Sequence, residues 1–205
     1  MVSNFQIYEL NESIMASGYP MRTKNIDYNN KISEQDLKRT KNLITATVKD
    51  NQAHGQFLSG ILVSFDVSAT VKWYVEMERY KFASFVSSQS TMHKISKFDF
   101  DSAYIKYVDP RVVEIMKELV DDYNNETDAE KKKEKYLNLL YTNPCGMILT
   151  ARMTTNYRCL RNIYKQRKNH RLPEWKEFCK WIETLPASWL ITWNCDEEIE
   201  DDSVC

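Results

Sequence analysis

Glycine is scarce in this chain. Four residues, Gly18, Gly55, Gly60 and Gly146, are spread over 205 positions. Neither G-x-G-x-x-G nor G-x-x-x-x-G-K-[ST] can be built from them. A Rossmann turn and a P-loop are therefore excluded as the means of holding a phosphorylated ligand. Long apolar runs are also missing. No stretch reaches the roughly 18 residues a membrane-crossing helix needs. The opening MVSNFQIYELNES has no basic start followed by an apolar core, so it does not read as a secretory signal. The five cysteines (Cys145, Cys159, Cys179, Cys195, Cys205) are odd in number and scattered. They form no CxxC and no metal-like spacing with the three histidines, so no metal site is expected. They read as reduced thiols of a cytoplasmic protein. Net charge is −1, which argues against polyanion binding by the surface as a whole.

Against that neutral background, Asn156 to Arg171 (NYRCLRNIYKQRKNHR) stands out. It carries Arg158, Arg161, Lys165, Arg167, Lys168 and Arg171 and no acid. Helical spacing sets residues three and four apart side by side, and the five like-charge neighbours so formed cost roughly 1–2.5 kcal/mol together. A phosphate-bearing ligand would offset that cost, because the arginine fork pairs with phosphate oxygens. A solvated basic helix face is the plainer alternative.

The rest of the chain reads as one α+β domain over 1–190 with an acidic tail over 191–205. Residues 5–10 suggest a short strand. Residues 33–50 suggest a helix capped by Ser33. A strand is expected over 57–67 and a helix over 70–82. Residues 83–98 are polar and irregular and read as a functional loop. Asp109-Pro110 opens a helix, 121–135 form a solvated turn and helix start, and Tyr136, Leu137, Leu139 and Leu140 are expected to bury. Residues 147–153 read as a short strand or helix start. Trp175, Phe178, Ile182 and Leu185 recur at helical period and read as core.

A second basic cluster, Arg79-Tyr80-Lys81, ends the 70–82 helix just before the polar loop. Trp73, Tyr74, Phe82 and Phe85 flank it, and Tyr157 and Tyr164 sit on the first basic segment. Flat rings beside arginine suit a nucleotide or flavin, and they suit single-stranded nucleic acid equally well. Composition does not separate the two.

These residues also carry a family resemblance. Asn156, Arg158, Leu160, Asn162 and Arg167 match N-x-R-x-L-x-[NH]-x-x-x-x-R, and the chain resembles the flavin-dependent thymidylate synthases. Their other motif, RHR-x-x-S-x-N-E-x-S-x-R, is met at Arg79 and Ser84, with Lys81 preserving charge and Tyr80 in place of the histidine. Its later residues are out of register. One inserted residue would set Ser90 on the motif serine, with His93 and Lys94 near the missing arginine. Ser64 to Ala69 fits the strand leading into that motif, and His54 is similar to the family's histidine before it. Together the matches span about residues 54–175.

The resemblance implies a central mixed or antiparallel sheet flanked by helices. It implies FAD held by His54, Arg79, Tyr80, Lys81, Asn156, Arg158 and Asn162. It places the pyrimidine nucleotide against Ser84, Ser88, Gln89, Ser90, His93, Lys94 and Arg167. The implied reaction carries a methylene from methylene-tetrahydrofolate to C5 of dUMP, with NADPH as reductant, in a homotetramer with shared active sites. No catalytic side chain is required, because the flavin carries the chemistry. A second phosphate arginine of the family falls near Leu140 here. That departure keeps two alternatives in view: a flavin and folate enzyme modifying another pyrimidine, for example by hydroxymethylation, and a nucleic-acid-binding module.

Overall fold

The computed structural model describes residues 1–24, 31–49 and 53–193. The expected acidic tail lies outside the described residues from 194 onward. Strands β1 (Val2–Tyr8), β2 (Leu62–Thr70), β3 (Ser84–Ser88) and β4 (Ile148–Asn156) form an antiparallel sheet in the order β1-β2-β4-β3. The helices are α1 (Leu10–Ala16), α2 (Glu34–Lys49), α3 (Val71–Met77), α4 (Thr91–Lys94), α5 (Pro110–Asn125), α6 (Ala129–Thr142), α7 (Tyr157–Arg167), α8 (Pro173–Glu183) and α9 (Trp189–Thr192). The α+β expectation and the flanked sheet are thus met. Two compact units are distinguished: Met1–Asp66 with Tyr80–Ser84 and Met153–Cys205, and Val67–Arg79 with Phe85–Arg152.

In the first unit, α8 buries the stripe its period announces. Trp175, Phe178 and Ile182 are fully buried and Leu185 nearly so. Phe65 of β2 meets Phe178 and Trp181 at ring-centroid distances of 5.8 and 5.0 Å, tilted rather than face to face. That geometry suits ring quadrupoles. Asp36 lies at the head of α2. Its carboxylate accepts from the Ser33 amide at 3.0 Å, the Ser33 hydroxyl at 2.6 Å, Arg39 Nη2 at 2.6 Å and Arg22 Nη2 at 3.3 Å. The Ser33 hydroxyl in turn accepts from the Asp36 amide, as the expected cap does.

Asp36 makes stability depend on acid. Burial by itself would raise its pKa, but the Ser33 hydrogen bonds and Arg39 outweigh burial and bring it to about 2. The folded pKa is depressed, so the contribution is complete above the unfolded value near 4 and is lost as pH falls toward about 2. Its size is on the order of 2 kcal/mol. Asp36→Asn should therefore lower the urea midpoint at neutral pH, and the gap to wild type should close between about pH 4 and pH 2. A gap that stays constant over that range would show that Asp36 is not the acid-sensitive group.

In the second unit, α5 and α6 form a helical hairpin over an apolar cluster of Ile95, Phe100, Ala103, Met116, Leu139 and Met147. Asp109 caps α5, its Oδ1 accepting from the Arg111 amide at 2.9 Å, with Pro110 at the first helical position. Asp128 caps α6 by accepting from the Glu130 and Lys131 amides. Residues 121–135 are thus the end of α5, a short turn and the start of α6.

Several boundaries differ from expectation. A 3-10 segment, Ala53–Gly60, takes the start of the strand expected over 57–67, and β2 runs from Leu62 to Thr70. The helix expected over 70–82 stops at Met77. Leu137 is half exposed, so it does not bury with its neighbours. The expected irregular loop over 83–98 contains β3 and α4. All five residues of β3 are exposed. An exposed strand has no burial alternation for a sequence pattern to reveal.

Candidate functional site

Helix α7 carries the family-like residues of the first unit. Asn156 caps it, with Oδ1 accepting from the Cys159 amide at 2.8 Å, and Asn156 is itself buried. That oxygen is committed to the helix. Arg158, one turn in, is half buried and donates from Nη1 to Gln56 Oε1. Gln56 and His54 belong to the Ala53–Gly60 segment, and with Ser17, Tyr19, Phe57 and Gly60 they line a cavity of about 500 Å³. Asn162 follows Arg158 by four residues, on the same side of the helix.

Arg161 is different. It is 8% exposed, and its guanidinium donates to the Leu190, Ile191 and Trp193 carbonyls at 3.3, 3.0 and 2.9 Å. One cation of the basic run therefore closes the end of α9 and is withdrawn from the surface. The like-charge cost expected along this helix falls accordingly.

Arg167 ends α7 in a corner of aromatic rings. Its guanidinium carbon lies 5.0 Å from the Trp175 centroid and 5.8 Å from that of Tyr80. The two rings meet edge to face at 70°. Arg167 Nε donates to Tyr80 Oη at 2.9 Å, and Tyr80 Oη donates to Gln166 Oε1 at 2.9 Å. Burial pushes the Tyr80 phenol up, and Arg167 opposes that only in part, so the phenol stays neutral at neutral pH. Nine residues at about 100° each set Arg158 and Arg167 on opposite sides of α7.

Protein-family models and curated sequences give no match to this chain. Solved structures do. A flavin-dependent thymidylate synthase from Helicobacter pylori, crystallised with FAD and dUMP, aligns at a TM-score of 0.66 and 14% identity over 91% of this chain and 95% of that one. A second Helicobacter pylori structure with FAD and dUMP aligns at 0.67 and 14% over 95% and 98%. A UMP/dUMP methylase, PolB, from Streptomyces cacaoi with 5-bromo-dUMP aligns at 0.59 and 11% over 90% and 89%. The chain has the flavin-dependent thymidylate synthase fold.

Within that fold the remaining residues of interest fall as follows. Lys81 and Ser84 are exposed in the first unit, while Tyr80 is 9% exposed. The Tyr80 hydroxyl donates to Gln166 and accepts from Arg167. Arg79, Ser88, Gln89, Ser90, His93 and Lys94 belong to the second unit. Arg79, Ser88, His93 and Lys94 are exposed there, and Ser90 is half buried. Gln89 is tied to β4: its amide donates to the Thr150 carbonyl at 2.9 Å and its Oε1 accepts from the Thr150 amide at 2.8 Å. The side chain thus extends the ladder by mimicking a peptide group. Leu140, near the place of a family phosphate arginine, packs against the apolar cluster of the second unit.

No described cysteine has the setting of a nucleophile. Burial raises Cys159 and brings Cys179 up to about 12, which keeps both as thiols. Cys145 is exposed, and its carbonyl accepts from the Lys72 amide at 3.0 Å. Among the described residues no cluster of His, Cys, Asp or Glu could hold a metal ion, and no helix is long and apolar enough to cross a membrane. Gln56 and Gln166 are the residues sequence reasoning misses. A lone glutamine has no periodicity, and their partners, Arg158 and Tyr80, are 102 and 86 residues away.

Proposed function

We propose that this chain is a flavin-dependent methyltransferase of the thymidylate synthase type, converting dUMP to dTMP. Methylene-tetrahydrofolate is the carbon source, FAD the bound cofactor and NADPH its reductant. The supporting observation is a joint one. The fold likeness extends over at least nine-tenths of the chain. The residues matching the family's second motif, Asn156, Arg158, Leu160, Asn162 and Arg167, lie on α7 or cap it.

The chemistry of the donor set suits the flavin. Arg158 donates to Gln56, which with Tyr19 and Phe57 lines a cavity of about 500 Å³. That size is ordinary for a cofactor site. A guanidinium bonded to the wall of a cavity that carries aromatic rings suits a ligand made of a pyrophosphate and two flat ring systems. Bound reduced flavin supplies the hydride that turns the transferred methylene into a methyl group. The protein's part is to bind, orient and exclude water, and the protonated state of Cys159 and Cys179 suits a reaction that uses no thiol nucleophile.

Arg158 and Arg167 face opposite sides of one helix. Flavin contact through one and nucleotide contact through the other then address different surfaces. That arrangement supports a homotetramer in which neighbouring subunits complete each site. The nucleic-acid reading is weakened by the same geometry, because Arg161 is buried and Arg167 is held between rings.

A second reading keeps the flavin and changes the acceptor base. Two observations favour it: Leu140 packs in an apolar cluster, and Gln89 is bound to β4. Purified protein should be yellow, with the visible absorbance of an oxidised flavin. Incubation with reduced flavin, methylene-tetrahydrofolate and either dUMP or dCMP, followed by product mass, separates the readings. A gain of one methyl group on dUMP supports the first, and hydroxymethylation of either nucleotide supports the second. A colourless protein that binds oligonucleotides with steep salt dependence overturns both.

A further inference from the structure

We propose that the open end of the α5–α6 hairpin is a separate ligand site, taking a flat aromatic ring that carries an anionic group. The site lies wholly in the second unit. It shares no residue with the flavin or nucleotide readings, so it stands or falls independently of them.

Its layout starts in the sequence. Ala129, Lys132, Lys133, Tyr136 and Leu137 recur at i, i+3, i+4, i+7 and i+8, which sets them on one face of α6. With Tyr123 from the last turn of α5 they line a cavity of about 480 Å³, an ordinary size for a small-molecule site. Tyr136 and Leu140 pack against the apolar cluster of the second unit, whereas Leu137 is left 50% exposed.

Two aromatic rings form the wall. The centroids of Tyr123 and Tyr136 are 5.0 Å apart and their planes are tilted by 48°. Tyr136 is fixed from its far end, its hydroxyl donating to the Met92 carbonyl at 2.9 Å. A ring held in this way offers a stacking surface with little further ordering on binding. Leu137 and the lysine stems complete the apolar part.

The charge at the cavity is of one sign. Lys132 and Lys133 line it, and among the described residues no acid does. The acids of the adjoining turn are engaged elsewhere. Glu126 Oε1 accepts from the Thr127 and Asp128 amides, both at 3.0 Å, and Oε2 pairs with Lys135 at 2.9 Å. Asp128 caps α6. Lys132 Nζ donates to the Glu126 carbonyl at 2.9 Å, not to its carboxylate, and lies 5.1 Å from the Tyr123 centroid. An ammonium has three protons, so that bond leaves capacity for an anion. Lys133 does pair with Glu130, at 2.7 Å, but the two side chains are 72% and 82% exposed. Such a surface pair contributes little and gives way to a better-placed anion. A nucleoside monophosphate and the p-aminobenzoylglutamate half of a folate both combine a flat ring with the required charge.

Titration calorimetry on the full chain as purified, with p-aminobenzoylglutamate, AMP and the uncharged adenosine as probes, tests the site. At least one anion should bind with a Kd on the order of 100 µM, the reach of a ligand of this size at ordinary efficiency. Lys133→Glu, at an exposed position, should weaken that binding at least tenfold, because it removes one charge-assisted contact and adds a like charge. Ala129→Trp should abolish it by filling the cavity. Adenosine should bind at least tenfold more weakly than any anion that binds. Binding of p-aminobenzoylglutamate alone assigns the site to a folate-type carboxylate, and of AMP alone to a nucleotide. Comparable binding of both assigns it to aromatic anions at large. No anion binding below about 5 mM, or binding that survives either variant undiminished, overturns the assignment. Should Ala129→Trp not fold, Lys133→Glu decides by itself.

Discussion

Arg161→Met should lower the thermal midpoint by about 6–12 °C while leaving flavin content per folded molecule unchanged. Methionine retains most of the stem's length and apolar contact. What it removes is a guanidinium that serves three carbonyls at the end of α9. The last carbonyls of a helix have no partner inside it, and a buried acceptor left alone costs about 1–3 kcal/mol. Leu190 and Ile191 are fully buried, so water does not reach their neighbourhood easily, whereas Trp193 is 41% exposed and its carbonyl can be hydrated. Two unrecovered acceptors and one recovered one give roughly 3 kcal/mol. For a chain of this size each kcal/mol shifts the midpoint by about 2–4 °C. Calorimetry with flavin quantified on the same sample checks both halves. A midpoint within about 1 °C of wild type would mean that α9 finds other partners for its carbonyls.

This arginine also marks the limit of what the sequence revealed. Its charge was visible, and its place in a run of cations made it look like part of a ligand-binding or solvated face. Its partners lie 29–32 residues onward. Nothing in a window of helical length announces a bond at that separation. Tyr80 is a similar case. Its position in the first motif points toward a ligand, and nothing local announces that its hydroxyl meets Gln166 and Arg167 more than 80 residues away.

Features whose cause is local were legible. Ser33 and Asp109-Pro110 mark helix starts because a cap bonds to amides two or three residues on. The α8 stripe follows from the 3.6-residue period, which burial on one side must respect. β3 was not legible, since an exposed strand is fixed by backbone bonding to its neighbour, and Ser-Phe-Val-Ser-Ser has the polarity of a loop. The 3-10 segment Ala53–Gly60 escaped for a related reason: its apolar residues run straight into those of β2, so hydropathy alone places the strand's start too early.

Arg158→Ala should yield a folded protein that purifies almost colourless. Asn156, not Arg158, caps α7, and Arg158 is half exposed, so its removal leaves the helix intact. The change acts instead through Gln56, which lines the cavity of about 500 Å³. Arg158 anchors Gln56, and Gln56 and His54 sit on the same 3-10 segment. Its loss therefore frees one wall of the cavity and deletes the cation that the proposed function assigns to the flavin. A charge-assisted hydrogen bond contributes about 1.5–3 kcal/mol. That converts to roughly 10- to 150-fold weaker FAD binding, enough to empty a site through dilution during purification. Circular dichroism should match wild type, and the ratio of visible to protein absorbance should fall below about a tenth of its starting value for a loss of this size. Gln56→Ala separates the two contributions, since it frees the wall and keeps the cation, and it should retain more flavin than Arg158→Ala. Equal loss in both variants would assign flavin binding to the shape of the wall. Full retention in folded Arg158→Ala would remove this helix from the flavin site altogether.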